Sequence, residues 1–99
     1  MTTDITSAPS KPILKRPPLY HVVIFNDDVS TYQCVIDILV NYFNTNEDDA
    51  YRFAVKVDIE GSATAGIYTK DVADTKIALA ISDLTEWGFP LQIEPIQCE

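Results

Sequence analysis

Residues 20–25 read Tyr-His-Val-Val-Ile-Phe, a run of β-branched and aromatic side chains broken only by His21. Such a run fits a strand buried on both faces, or nearly so. It stops abruptly at Asn26-Asp27-Asp28, whose short polar side chains bond nearby backbone groups and favour a turn. Ser30 or Thr31 is then placed to cap a helix. From there the apolar residues follow helical spacing: Cys34/Val35, Ile38/Leu39 and Tyr42/Phe43, with Ile36 and Val40 widening the stripe. A buried strand leading within a few residues into an amphipathic helix points to a mixed fold.

The rest of the chain extends that pattern. Thr45-Asn46-Glu47-Asp48 reads as a second helix start, with carboxylates suited to an N-terminal dipole. The following segment supports two readings. Ala50, Phe53, Ala54 and Val57 recur at helical intervals, whereas Val55, Val57 and Ile59 alternate as a strand would. Gly61 ends it either way. Ala63 to Tyr68 fits a short strand, and Thr69 is placed to cap a helix carrying Val72, Thr75/Lys76, Ala80 and Leu84 towards Trp87. Gly88-Phe89-Pro90 stops that helix, and Leu91 to Glu94 reads as a last short strand. The order predicts an α+β domain, with helices packed on one face of a small, mainly antiparallel sheet.

Charge divides the chain. Residues 1–18 carry Lys11, Lys15 and Arg16 against Asp4, while residues 19–99 carry four basic and fourteen acidic residues. A folded part that acidic repels phosphate backbones and argues against nucleic-acid binding; it suits a cationic partner. Four of the six prolines fall in the first 18 residues, with few apolar side chains, so this segment is expected to be a flexible extension ahead of a core domain at 19–99. No apolar stretch approaches the roughly 20 residues of a membrane span, and the start lacks the pattern of a signal peptide. Cys34 and Cys98 have no metal-site or redox spacing. Cys34 fits a small core residue and Cys98 a tail, as expected for a cytoplasmic protein.

Asn26-Asp27-Asp28 carries the strongest local hint of chemistry. One reading is a turn and cap rich in side-chain-to-backbone bonds. The other is a cluster of acceptors facing a cavity, suited to an ammonium group with its three N–H donors. Asp27 and Asp28 as an acid/base or metal pair is less well supported. Adjacent residues on an extended chain point apart, and no His or Cys falls at a ligand spacing beside them. His21 lies within the strand and reads as structural. No phosphate loop, nucleophile elbow or HExxH is present, and no metal or cofactor is expected.

Three blocks, in this order and behind a proline-rich leader, resemble the ClpS family, adaptors that hand N-degron substrates to the ClpAP protease. They are Tyr20 to Asp28, ending in Asn-Asp-Asp; Val35-Ile36-Asp37-Ile38-Leu39 in the following helix; and Gly66-Ile67-Tyr68-Thr69 running into Asp71-Val72-Ala73-Asp74-Thr75-Lys76. The resemblance covers about Pro18 to Pro95 and implies a three-stranded sheet with three helices packed on it. It also implies a helix over the ambiguous segment, to about Ile59, with Gly61 as its cap. In such proteins a pocket receives the N-terminal Leu, Phe, Tyr or Trp of a substrate. Carried onto this chain, Asn26 and Asp27 hold the α-amine. The pocket is formed by Ile24, Asp28, Ser30, Tyr32, Val35, Ala54, Val57 and Leu91. The face towards the unfoldase's N-terminal domain, of ClpA type, maps to Asp71, Thr75 and Lys76.

Three positions depart from the family pattern. Asp58 stands where a His usually helps hold the amine; its carboxylate can accept from the ammonium instead. Ala54 and Tyr32 stand where Met is common, which implies a roomier pocket with an aromatic rim. The chain is therefore expected to be a non-enzymatic, monomeric adaptor binding hydrophobic N-terminal residues. The alternative is a ClpS-like docking module that regulates the unfoldase without N-degron binding.

Overall fold

The computed structural model describes residues 16–99. Its elements follow the order β1 (Leu19–Phe25), α1 (Tyr32–Tyr42), α2 (Glu47–Glu60), β2 (Ser62–Thr69), α3 (Lys70–Trp87) and β3 (Gln92–Gln97). The three strands form one antiparallel sheet in the order β2-β1-β3. Of the expected extension, residues 1–15 lie outside the described residues, and 16–18 are exposed chain ahead of β1.

Burial follows the alternation of the central strand. Val22 and Ile24 are fully buried and join Ile38, Leu39, Ala54, Val57, Ala80, Leu84 and Ile93 in a single core. On the opposite face Leu19 is exposed, while His21, Val23 and Phe25 are half-buried. The run that reads as buried on both faces, or nearly so, is fully buried on one and half-buried on the other, because the helical residues of the core meet the Val22/Ile24 face. His21 stays on the other face, between Ile67 and Ile96 in register, with no partner for its enclosed Nδ1.

The ambiguous segment is helical, as the resemblance implies. Asn46 starts α2 by accepting from the Asp49 amide at 2.9 Å, and Gly61 ends it in the left-handed region at φ 91°, its amide bonded to the Val57 carbonyl at 2.8 Å. An L-residue there would incur backbone strain that glycine avoids. The Val-x-Val-x-Ile alternation loses because Ala50, Ala54 and Val57 all face the core from the helix. Thr69 occupies the N-cap position of α3, yet its side chain makes no capping bond. β3 runs past Pro95 rather than stopping at Glu94. An edge strand tolerates a residue without an amide donor, since one side of its backbone needs no ladder bond. The Cys98 amide bonds Leu19 O at 2.8 Å, so the thiol-bearing tail is tied to β1.

Among the described residues, no helix is long and apolar enough to cross a membrane.

Candidate functional site

A cavity of about 280 Å³ opens where the loop after β1 meets the faces of α1 and α2. Its lining contains Asn26, Asp27, Asp28, Ser30, Thr31, Tyr32, Val35, Ala54, Val57, Asp58 and Leu91. Three remote parts of the chain converge here. Residues 26–35 come from the end of β1 and the start of α1. Ala54, Val57 and Asp58 share one face of α2, being spaced at i, i+3 and i+4. Leu91 comes from the approach to β3.

The loop is held by its own side chains. Asp27 Oδ1 accepts from the Val29 amide at 2.8 Å and the Ser30 amide at 2.7 Å. Thr31 caps α1, its Oγ1 accepting from the Cys34 amide at 3.2 Å. One step before, the Asn26 amide donates to the Gly61 carbonyl at 2.8 Å, which joins the loop to the end of α2. Asx-turn and binding-site readings of Asn-Asp-Asp are thus compatible, because only one oxygen of Asp27 is used by the turn. Asp27 Oδ2 and Ser30 Oγ are buried without a hydrogen-bond partner. Enclosed polar atoms are ordinarily paired, and a hydroxyl carries a proton of its own, so Asp27 Oδ2 is the atom that marks a place where a donor is wanted.

Burial works to raise the Asp27 pKa, but the bonds from Ser30 and Val29 outweigh it and hold the carboxyl below its ordinary value. The Ser30 hydroxyl, close by though outside hydrogen-bonding geometry, adds to that pull. Asp27 is thus an anion at neutral pH.

The cavity has two chemical halves. Val35, Ala54, Val57 and Leu91 are all buried and form an apolar floor. Asp28, Tyr32 and Asp58 are exposed and form the rim, where the Tyr32 hydroxyl donates to Asp58 Oδ2 at 2.7 Å. That bond is the main cause holding the Tyr32 phenol above its usual pKa. Tyr51, one turn before Ala54, meets the Tyr32 ring edge-on with centroids 6.0 Å apart. Ile24 is not in the lining; it is fully buried in the core beneath. Thr31 is in the lining although sequence suggested it only as a cap, and the Tyr32–Asp58 bond had no signal in sequence, since it joins residues 26 positions apart.

A second, shallower depression of about 400 Å³ lies between α1 and α3, lined by Asn41, Tyr42, Asp71, Val72, Thr75, Lys76 and Leu79. It brings together the three residues mapped to the unfoldase face, but in different states. Lys76 donates to the Tyr42 carbonyl at 2.6 Å and lies 5.7 and 5.2 Å from the Phe43 and Tyr68 ring centroids. Thr75 turns its hydroxyl back to the Asp71 carbonyl at 2.9 Å. The Asp71 side chain alone has no partner among the described residues, and exposed Val72 and Leu79 flank it. Gly66 has a role in the same region: a Cβ there would come within 2.5 Å of the Tyr68 hydroxyl, so glycine allows that ring to lie across β2 towards Phe43 and Lys76.

The sequence of residues 15–94 matches the family described as ClpS, ATP-dependent Clp protease adaptor protein. The ATP-dependent Clp protease adapter protein ClpS of Myxococcus xanthus is 38% identical over 92 residues, 93% of this chain and 86% of the relative. The protein of the same name from Paraburkholderia xenovorans is 38% identical over 79 residues, 80% of this chain and 76% of its own. In three dimensions, the structure of Agrobacterium tumefaciens ClpS2 bound to L-phenylalaninamide superposes with a TM-score of 0.80 at 32% identity, covering 84% of this chain and all of that one. Strand order, helix placement and sequence therefore agree, and the chain belongs to the ClpS family of ATP-dependent Clp protease adaptor proteins.

Proposed function

We propose that this adaptor binds the hydrophobic N-terminal residue of substrate proteins, Leu, Phe, Tyr or Trp, and delivers those substrates to a Clp unfoldase. The observation that carries the reading is the pairing of an apolar floor with the unsatisfied Asp27 Oδ2 and Ser30 Oγ in one cavity. A volume of 280 Å³ is at the small end for ligand pockets and suits one amino-acid side chain. The structural neighbour's ligand, L-phenylalaninamide, has the same two parts, a free α-amine and an aromatic side chain.

In this reading the α-ammonium meets Asn26, Asp27 and Asp58, while the side chain enters between Val35, Ala54, Val57 and Leu91. Asp28, Ser30 and Tyr32 shape the mouth, and Ile24 supports the floor from below. A charge-assisted hydrogen bond contributes about 1.5–3 kcal/mol, and burying a large apolar side chain about as much again. Two or three such terms, less the cost of association, reach micromolar affinity; neither half reaches it alone. Recognition thus requires both a free chain end and a large apolar first residue, without bond making or breaking. Docking on the unfoldase's N-terminal domain is assigned to the α1–α3 depression, with Asp71 as its free charge and Val72 and Leu79 as apolar contacts. Lys76 and Thr75 shape that face from within. The two free thiols fit a protein working in the reducing cytoplasm.

Fluorescence anisotropy with matched peptides starting with Phe, Leu, Trp or Met, and an N-acetylated Phe control, tests the proposal. Low-micromolar binding of the Phe peptide, abolished by acetylation, is the expected result. Failure of all the free-amine peptides to bind would overturn it and leave the docking module that regulates the unfoldase.

A further inference from the structure

We infer that Tyr32 is a positioning residue for the amine site, its hydroxyl holding the Asp58 carboxylate at the cavity mouth in the orientation that receives the ligand. The inference rests on the proposed reading of the cavity and identifies how this chain fills the place where Asp58 replaces the family's histidine.

Asp58 sits on the last turn of α2 and is exposed. An exposed carboxylate samples several rotamers, and a ligand that needs one of them bears the entropy of selecting it. Here the selection is made beforehand: Tyr32 donates to Oδ2 at 2.7 Å, and Oδ1 has no donor among the described residues. One oxygen is thus fixed and the other left as an acceptor, the division of labour also seen at Asp27, where the turn takes Oδ1 and leaves Oδ2. The two carboxylates line the same cavity from different elements.

Tyr32 is itself held. It is the first residue of α1, directly after the capping Thr31, and the Tyr51 ring meets it edge-on with an interplanar angle of 76°. Tyr51 and Asp58 lie seven residues apart on α2, two turns along one face. The aromatic pair and the hydroxyl–carboxylate bond therefore join α1 to α2 on the same side of the cavity. A Met in place of Tyr32 has no hydroxyl donor to offer, so Tyr32 and Asp58 act as one unit.

A double-mutant cycle on the full chain tests this, read by anisotropy with the Phe-initiated peptide. Tyr32→Phe keeps the ring and removes the donor; it is expected to weaken binding roughly three- to tenfold, the cost of ordering one side chain that the bond otherwise holds in place. In an Asp58→Ala background the same change is expected to have no effect, because there is no carboxylate left to position. Thermal melts of all four proteins should differ by no more than a few degrees, since both side chains are exposed, and all four stay folded at the assay temperature, so the cycle reports on binding rather than folding. Equal losses in both backgrounds, or no loss in either while the wild type binds, would overturn the inference and leave the proposed function standing. Absence of wild-type binding would overturn both.

Discussion

Replacing Asp27 by Asn separates the two tasks of that side chain. Oδ1 holds the turn through the Val29 and Ser30 amides at 2.8 and 2.7 Å, and an Asn carbonyl oxygen can accept both bonds. Oδ2, buried and unpaired, becomes an NH₂ group that donates where the bound ammonium also donates. The complex loses one charge-assisted bond of about 1.5–3 kcal/mol. At 1.4 kcal/mol per tenfold, Kd for a Phe-initiated peptide rises roughly 10- to 150-fold. Folding stability changes by a fraction of that, because the turn survives. Asp27→Ala is the informative contrast: it also strips the acceptor from two loop amides, so it lowers stability by about 1–2 kcal/mol as well as affinity. Anisotropy titration and a thermal melt on each variant read the two effects separately. Wild-type affinity in the Asn variant would show that the spare oxygen of Asp27 does not meet the amine, and the site would have to be rebuilt around Asp58 and Asn26.

Three further outcomes follow from other parts of the molecule. Ala54→Met fills the floor of the cavity and should raise Kd for a Trp-initiated peptide about tenfold more than for a Leu-initiated one; an unchanged Trp/Leu ratio would place the selective wall elsewhere. Lys76→Met removes a charged bond to the Tyr42 carbonyl and the contacts with Phe43 and Tyr68. The expected cost is about 2 kcal/mol, or roughly 8–16 °C in Tm for a domain of this size; an unaltered melt would return Lys76 to the surface. The Asp27 carboxyl titrates below its ordinary 3.8 in the folded protein. Its stabilising share is therefore complete above the unfolded value and is lost as pH falls through the lower folded one. The gap in urea midpoint between wild type and Asp27→Asn should narrow below about pH 4; a constant gap from pH 6 to 2.5 would contradict that depression.

Much of the architecture was legible because local signals agreed with one another. The β1 run, the turn residues at 26–28 and the stripe on α1 all specify the same strand–turn–helix unit, and Gly61 and Gly88 end their helices in the left-handed region as expected of C-caps. Residues 54–59 were not separable by periodicity, since short apolar spacings serve either element; length and the Asn46 cap decide for the helix. The expected Leu91–Glu94 strand falls short of the observed end of β3 at Gln97; the tolerance of Pro95 within it depends on the strand being at an edge, which is a tertiary fact. The polar half of the cavity was visible in Asn-Asp-Asp. The state of each side chain was not: the spare oxygen of Asp27, the Tyr32–Asp58 bond and the sequestered ammonium of Lys76 all depend on contacts between distant residues. Lys76 is the clearest case, since its place in a charged, amphipathic helix suggests a solvated cation and the fold instead sets it over two adjoining rings.

The bond from the Asn26 amide to the Gly61 carbonyl gives the molecule a built-in reporter. It is a rung beyond the β1–β2 ladder, joining the first residue of the Asn-Asp-Asp loop to the cap of the helix that supplies Ala54, Val57 and Asp58. Any opening that separates the loop from α2 must break it, and the amide then becomes available to solvent deuterium. Exchange at this single backbone position, followed by nuclear magnetic resonance, would measure the free energy of parting the two walls. A ligand bridging them should slow that exchange in proportion to its occupancy, giving a label-free affinity from the protein's own backbone.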